Sequence, residues 1–303
     1  MRSQMDDMSP FELRSSGKAS WKRSKVVVDY VPDRPVAHGW IGSWGDVFRE
    51  LPATGRVAGV MFLRDFRALY RQSILSYFWA LAVPLLTVGL FLYLNRAGLF
   101  VVGSMSVPYV VFAVVGMAFW QLFAAGLTSC TQSLVAGGAL LTKVNFPRES
   151  LVFAAYGVAA VPFVVQLVLG LGLMIAYRVP FTWAALAAIP ACLPLVLLTM
   201  GLGLLTSLLH GLARDVGAVM PAVVSFLLFF TPILYARPTS GIASTMATYN
   251  PLYYLTGVPR DLLLFGSSDY MLGYWVSAAG SIIVVVVAWQ IFHLAECRLV
   301  ERI

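Results

Sequence analysis

Charge is what this sequence has least of. Asp, Glu, Lys and Arg make up 12% of its 303 residues, against 59% that are hydrophobic. Soluble domains carry about 25% charged residues, and the mean hydropathy here is +0.81, so the chain reads as an integral membrane protein. Acidic residues are missing from the long apolar runs: all fourteen Asp and Glu fall in the N-terminal segment, the loops or the tail. Carriers driven by protons or ions place ionisable groups at mid-membrane to bind the coupling ion. Secondary transport is disfavoured on that ground.

Cysteine is scarce as well. Cys130, Cys192 and Cys297 lie far apart with no metal-ligand spacing, which excludes a disulfide framework and a zinc site. His38, His210 and His293 are equally scattered, and none has Ser, Cys or Asp beside it in a catalytic arrangement. The chain is therefore not read as an enzyme. His210 is expected to end the fourth apolar run as a cation, where a helix C-terminus favours one. The sequence has no G-x-x-x-x-G-K-S/T loop, so it cannot itself cradle ATP phosphates in the usual way, and no cofactor is expected in this chain. No GxxxG falls within an apolar run, so that cue for helix pairing is missing too. A net charge of +7 does not point to nucleic acid, because the basic residues flank apolar runs or sit in the N-terminal segment. The start, MRSQMDDMSPFELRSSGK, has no apolar core and carries Asp6, Asp7 and Glu12. It is not a secretory signal, and the first apolar run is expected to direct insertion.

What the chain has is six long apolar runs, at about 75–94, 108–135, 151–177, 183–209, 218–235 and 271–292. Each comes close to or exceeds the roughly 20 residues that a bilayer crossing needs. The expected fold is all-α with six transmembrane helices. Pro162, Pro190, Pro194, Pro221 and Pro232 mark places to kink. Residues 1–55, broken by Pro32, Pro35 and Pro52, read as a partly disordered segment with a short helix from about Trp40. The permease-like remainder is residues 56–303. Near the runs, Arg56, Arg64, Arg67, Arg71, Lys143, Arg148, Arg214, Arg298 and Arg302 stand on one side. Only Arg96, Arg178, Arg237 and Arg260 stand on the other. The first side is cytoplasmic by the positive-inside rule, and both termini lie there.

Just before the first run, Phe62, Phe66 and Leu69 follow at i, i+4 and i+7. Arg64, Arg67 and Arg71 recur at i, i+3 and i+7, with Tyr70 among them. Residues 56–74 read as an amphipathic interfacial helix whose guanidinium groups meet lipid phosphates; packing on a soluble core is the other reading. At 137–150, GGALLTKVNFPRES, an apolar turn at Ala139, Leu140 and Leu141 leads to Lys143, Arg148 and Glu149 as polar contacts. Pro147 suits the first position of the next helix. Taken alone, this is a docking element or a solvated turn with cationic anchors. The stretch 236–270 is too long for a turn and too short for two crossings. It reads as a re-entrant pair of short helices or as an amphipathic cap. Asn250 as N-cap and Pro251 at the first position start a helix that runs to about Phe265 and stops at Gly266. Arg260 and Asp261 interrupt its apolar face.

Six motifs then stand in order: RDFRALYRQSILSYFW at 64–79, VPYVVFAVVGMAFW at 107–120, LLTKVNFPRES at 140–150, RDVGAVMP at 214–221, TPILY at 231–235 and YNPLYYLTGVPRDLLLFG at 249–266. Together they resemble the permease subunit of type-2 ABC exporters of polysaccharides and polyol phosphates: O-antigen, capsule, teichoic acid or galactan. The resemblance covers about residues 45–303. Leu69 stands where that family usually has Arg, and Ser76 where it usually has Gly.

The resemblance implies a homodimer in the bacterial inner membrane, with an ATPase subunit beneath each copy to bind ATP and Mg. A channel between the bundles would pass a lipid-linked glycan outward from the cytoplasm. It assigns ATPase coupling to Leu140, Lys143, Phe146, Pro147, Arg148 and Glu149. It assigns an outer gate to Tyr249, Asn250, Pro251, Tyr253, Tyr254, Arg260 and Asp261. Tyr77, Trp79, Phe119, Trp120 and Phe123 become channel lining, aromatic faces that hold a sliding sugar weakly. The alternatives are an ABC permease for a small molecule or drug, and a membrane-embedded glycosyl- or acyltransferase. The second would need a reactive Asp, His or Ser cluster, and the sequence shows none.

Overall fold

The computed structural model describes residues 39–71, six single positions between 82 and 93, 107–141, 144, 146–234 and 241–299. The expected first span at 75–94 lies largely outside them, as does the N-terminal segment before Gly39. All regular structure among the described residues is helical. Four stretches are long and apolar enough to cross a membrane: Tyr109–Ala136, Glu149–Ala176, Trp183–Leu212 and Met271–Ala295. They coincide with the second, third, fourth and sixth apolar runs.

Helix α1, Gly39–Arg71, starts well before residue 56 and passes straight through Pro52, which the sequence marks as a break. Thr54, Ala58 and Met61 recur at i, i+4 and i+7 and are buried. They define the face that packs on α4, Glu149–Ala159. The Phe62 ring lies over Gly157, where an added Cβ would stand 3.0 Å from the ring. Arg56, Val60, Leu63, Arg64 and Arg67 point away and are exposed.

Helix α2, Tyr109–Ala136, is buried on almost every side. A helix that is apolar all round belongs in the middle of a bundle, and α2 packs against α4, α5 (Val161–Ala176) and α7 (Leu193–Leu212). The third apolar run divides at Ala160 into α4 and α5. Pro162 in the first turn of α5 lacks the N–H that would continue the ladder. The short α3, Gly138–Leu141, follows α2. A 3₁₀ turn at Trp183–Ala187 and the short α6, Ala188–Ala191, precede α7, whose first turn holds Pro194.

The fifth run departs from expectation. Helix α8 is Asp215–Phe230, 16 residues, about 24 Å at 1.5 Å per residue against the roughly 30 Å of a hydrocarbon core. Thr231 is extended, with φ −109° and ψ 110°, as the residue before a proline favours. Pro232 therefore ends this helix where a kink was expected. Helices α9 (Gly241–Tyr249) and α10 (Pro251–Phe265) follow, then the unbroken α11, Met271–Leu299. Helix α11 lies along α7. A Cβ on Gly201 would sit 2.8 Å from the Val285 Cα, so the two backbones meet at a distance only glycine permits.

Candidate functional site

The polar chemistry of the bundle gathers at two places. The first is the junction of α8, α10 and the start of α2. Asn250 caps α10, its Oδ1 accepting from the Leu252 N–H at 2.9 Å, and Gly266 closes the helix in the left-handed conformation at φ 74°. The Asn250 amide also donates to Thr231 Oγ1 at 2.8 Å, tying α10 to the end of α8. Arg260 and Asp261, which interrupt the apolar face of α10, are both buried. Arg260 Nε and Nη2 donate to Asp261 Oδ1 at 3.0 and 2.9 Å, and Nη1 donates to the Ile233 carbonyl at 3.1 Å. The guanidinium carbon stands 4.0 Å from the centre of the Phe112 ring on α2. Ser268 Oγ donates to the second Asp261 oxygen at 3.4 Å, and Tyr109 Oη donates to the Leu234 carbonyl at 2.7 Å. The non-helical segment 231–234 is thus held from both sides, with the Ile233 and Leu234 carbonyls satisfied. Gly116 allows it to lie close: a Cβ there would be 3.2 Å from the Ile233 carbonyl oxygen.

The second place is the start of α4, directly after the 137–148 loop. Glu149 occupies the first turn, where the helix N-terminus favours a carboxylate. Its Oε1 meets His293 Nδ1 of α11 at 3.4 Å, with both side chains almost wholly buried. Ser150 Oγ donates to the Thr54 carbonyl of α1 at 3.2 Å. Helices α1, α4 and α11 are joined within two successive residues. A related joint links α7 to α8, where the Gly217 N–H donates to His210 Nδ1 at 3.0 Å. His210 ends α7 in its last turn, where the sequence expected it, and its ring nitrogen takes up an otherwise unpaired N–H in the first turn of α8.

Among the expected coupling residues, Leu140 is half-buried, Phe146, Pro147 and Glu149 are buried, and Arg148 is partly exposed; Lys143 lies outside the described residues. Glu149 as a surface contact is thus corrected: it faces inward to His293. Pro147 is not the first helical residue, because α4 begins at Glu149; its carbonyl accepts from the Ser150 N–H. On α1, Arg64 and Arg67 are exposed and Phe66 is half-buried, its ring stacked on Phe62. Asp65 hydrogen-bonds Arg64 and holds its guanidinium above the ordinary value. Tyr70 and Arg71 are within the helix, with side chains outside the described residues. Of the aromatic set, Tyr77 and Trp79 are outside them as well. Phe119, Trp120 and Phe123 are 1%, 3% and 1% exposed. They fill the protomer core, Phe119 against Phe163 and Trp120 against Phe123, and their burial gives a channel wall no support.

The expected gate residues lie on α10 or just before it. Tyr254 packs on Gly273 of α11, where a Cβ would run into the ring, and its hydroxyl donates to the Thr248 carbonyl at 2.9 Å. Tyr253 is buried edge-on to Tyr254 and Tyr270. Tyr249 is 82% exposed. It stands with Pro251 beside a mostly apolar groove of about 410 Å³, bounded by Leu198 on α7 and Leu272, Val276 and Gly280 on α11. No cluster of three or more His, Cys, Asp or Glu side chains able to hold a metal occurs among the described residues. The sequence reading passed over Glu149–His293 as a pair, and only the burial of an acid and a histidine in apolar surroundings could have hinted at it.

A helical bundle with several membrane-length apolar helices defines an integral membrane protein. The chain belongs to the ABC-2 type transporter family, whose model matches residues 57–264. Two proteins of Klebsiella pneumoniae, each called O-antigen export system permease protein RfbA, are 27% and 25% identical to it over 241 residues. Both alignments cover 78% of this chain and 91% of the relative. The protein of that name from Myxococcus xanthus is 26% identical over 196 residues, 63% of this chain and 74% of its own length.

Proposed function

We propose that this chain is the membrane permease of an ATP-driven exporter, moving a lipid-linked polysaccharide such as O-antigen from the cytoplasm across the bacterial inner membrane. The observation that carries this is the alignment, over most of both chains, with the O-antigen export permeases of Klebsiella. The working unit is a homodimer with a nucleotide-binding ATPase under each copy, and ATP and Mg belong to that partner. Six spans, counting the run at 75–94 and the shorter α8 continued by the non-helical residues 231–234, leave both termini in the cytoplasm. Residues 39–71 lie along the inner membrane surface with Arg64 and Arg67 toward lipid phosphates.

ATP-driven closure of the partner pushes on the loop at 137–148, which is joined without a break to α4. The α9–α10 pair is a re-entrant hairpin at the outer end of the channel, and the buried Arg260–Asp261 pair secures its inner side. Deleting the gene tests the reading: surface glycan is lost and lipid-linked glycan accumulates on the cytoplasmic face. Unchanged surface glycan in the deletion strain would refute it. Lys143→Glu combined with Arg148→Glu reverses the charge of the docking face. The ATPase then co-purifies poorly with the permease, and normal export by this variant would count against the coupling assignment.

A further inference from the structure

We infer that α11 is the rod that carries motion from the 137–148 loop to the α9–α10 hairpin, with Glu149–His293 as its near joint and Tyr254 on Gly273 as its far one. This rests on the exporter reading. His293 and Gly273 are both on the one unbroken helix, Met271–Leu299. Twenty residues separate them (293 − 273), about 30 Å at 1.5 Å per residue. At the near end, Glu149 follows the loop immediately and meets His293 at 3.4 Å. At the far end, Gly273 receives the Tyr254 ring at a separation that leaves no room for a Cβ. Tyr254 in turn holds the end of α9 through the Thr248 carbonyl. A push on the loop therefore has a polar grip on one end of α11, and the hairpin rides on the other.

Helix α2 also runs from this loop to the hairpin junction, but it is the fixed member. It is enclosed along most of its length, and a close-packed core does not let one helix slide without repacking all its neighbours. Its hairpin end is pinned by Tyr109 to Leu234 and by Phe112 under Arg260. Helix α11 has most of its surface outside the protomer core and leans on α7, the two meeting backbone to backbone at Gly201 and Val285. Helix α7 is itself held on α2, where the Thr131 and Thr206 hydroxyls hydrogen-bond at 2.8 Å, so α11 pivots on α7 at Gly201 and Val285, between its two joints, while α2 and α7 stay.

The test uses the permease with its ATPase in membranes, in a chain carrying Cys130→Ala, Cys192→Ala and Cys297→Ala. Tyr249→Cys supplies a reporter at the exposed tip of the hairpin. Labelling by a membrane-impermeant maleimide is timed without nucleotide and after trapping with ATP and vanadate. The parent is expected to show a nucleotide-dependent change in labelling rate. His293→Leu, which has no group to bond Glu149, is expected to lose that change while the complex still hydrolyses ATP, and Glu149→His with His293→Glu is expected to restore it. A full response in His293→Leu overturns the rod. Should that variant fail to accumulate, Tyr254→Ala is read at the far joint, where loss of the response supports the rod and its retention overturns it. A parent with no response to nucleotide overturns the exporter reading itself, and the rod with it.

Discussion

Two buried carboxylate contacts among the described residues are opposites in construction. Arg260 and Asp261 are chain neighbours, and the guanidinium is engaged on every side: by the carboxylate twice, by the Ile233 carbonyl and by the Phe112 ring. Glu149 and His293 are 144 residues apart and share one contact of 3.4 Å, at the long end of a hydrogen bond. Glu149 Oε2 has no hydrogen-bond partner. A multiply held arginine cannot lose its charge and grips in a fixed fork; a single contact fixes a distance but not an angle. The first arrangement suits a lock and the second suits a joint about which two helices pivot.

The largest effect should come from breaking the lock. Arg260→Leu leaves Asp261 buried without its cation and the Ile233 carbonyl without a donor. Removing one member of a buried pair costs about 3–5 kcal/mol, read as a fall in unfolding temperature in detergent. The double variant, Arg260→Leu with Asp261→Leu, removes both charges and should recover much of that loss. A double variant as unstable as the single one would show that the pair is not held by charge.

Next comes the joint between α7 and α8. A Cβ on Gly217 would stand 2.7 Å from His210 Nε2, so Gly217→Ala drives the ring away and removes the N–H to Nδ1 bond. Overpacking of this kind costs about 1–3 kcal/mol. Gly172→Ala on α5 is the control, since its Cβ would meet nothing within 4 Å. Replacing a helical glycine by alanine there should be neutral or gain up to about 1 kcal/mol. Equal losses at both positions would remove His210 from the list of joints.

Asn250→Ala follows. Loss of an N-cap costs about 0.5–2 kcal/mol, and the bond to Thr231 goes with it. Faster proteolysis between α8 and α10 in the variant is the measurement, and unchanged cleavage would show that the cap does not hold the hairpin in place.

This helix is also where the sequence was most readable. Asn250, Pro251 and Gly266 are local signals, each acting within a few residues, and they set both ends of α10. Pro162 likewise marked the break between α4 and α5. Pro232 misled because a proline can bend a helix or end it, and the apolar run continues past it to Tyr235. Pro52 misled the other way: α1 continues through it. Phe119, Trp120 and Phe123 misled for a different reason. A helix apolar on every face carries no periodicity that separates core from channel wall. The Glu149–His293 contact was out of reach, because nothing local in the sequence links residues 144 positions apart.

The smallest effect, and the one that sharpens the contrast most, is expected from Glu149→Gln. The amide keeps the shape and can still hydrogen-bond the His293 ring, while a neutral group is far easier to bury than a carboxylate. What is lost is the charge on one long contact, so the cost to stability should stay near the roughly 0.5–1.5 kcal/mol of an ordinary hydrogen bond. Thermal unfolding of Glu149→Gln beside Arg260→Leu makes the comparison directly. If the two variants fall equally far, Glu149 is as firmly held as Arg260, and the contrast between a rigid lock and a pivoting joint is wrong. A small shift for Glu149→Gln, with a large one for Arg260→Leu, means the bundle is locked where it meets the hairpin and hinged where it meets the loop.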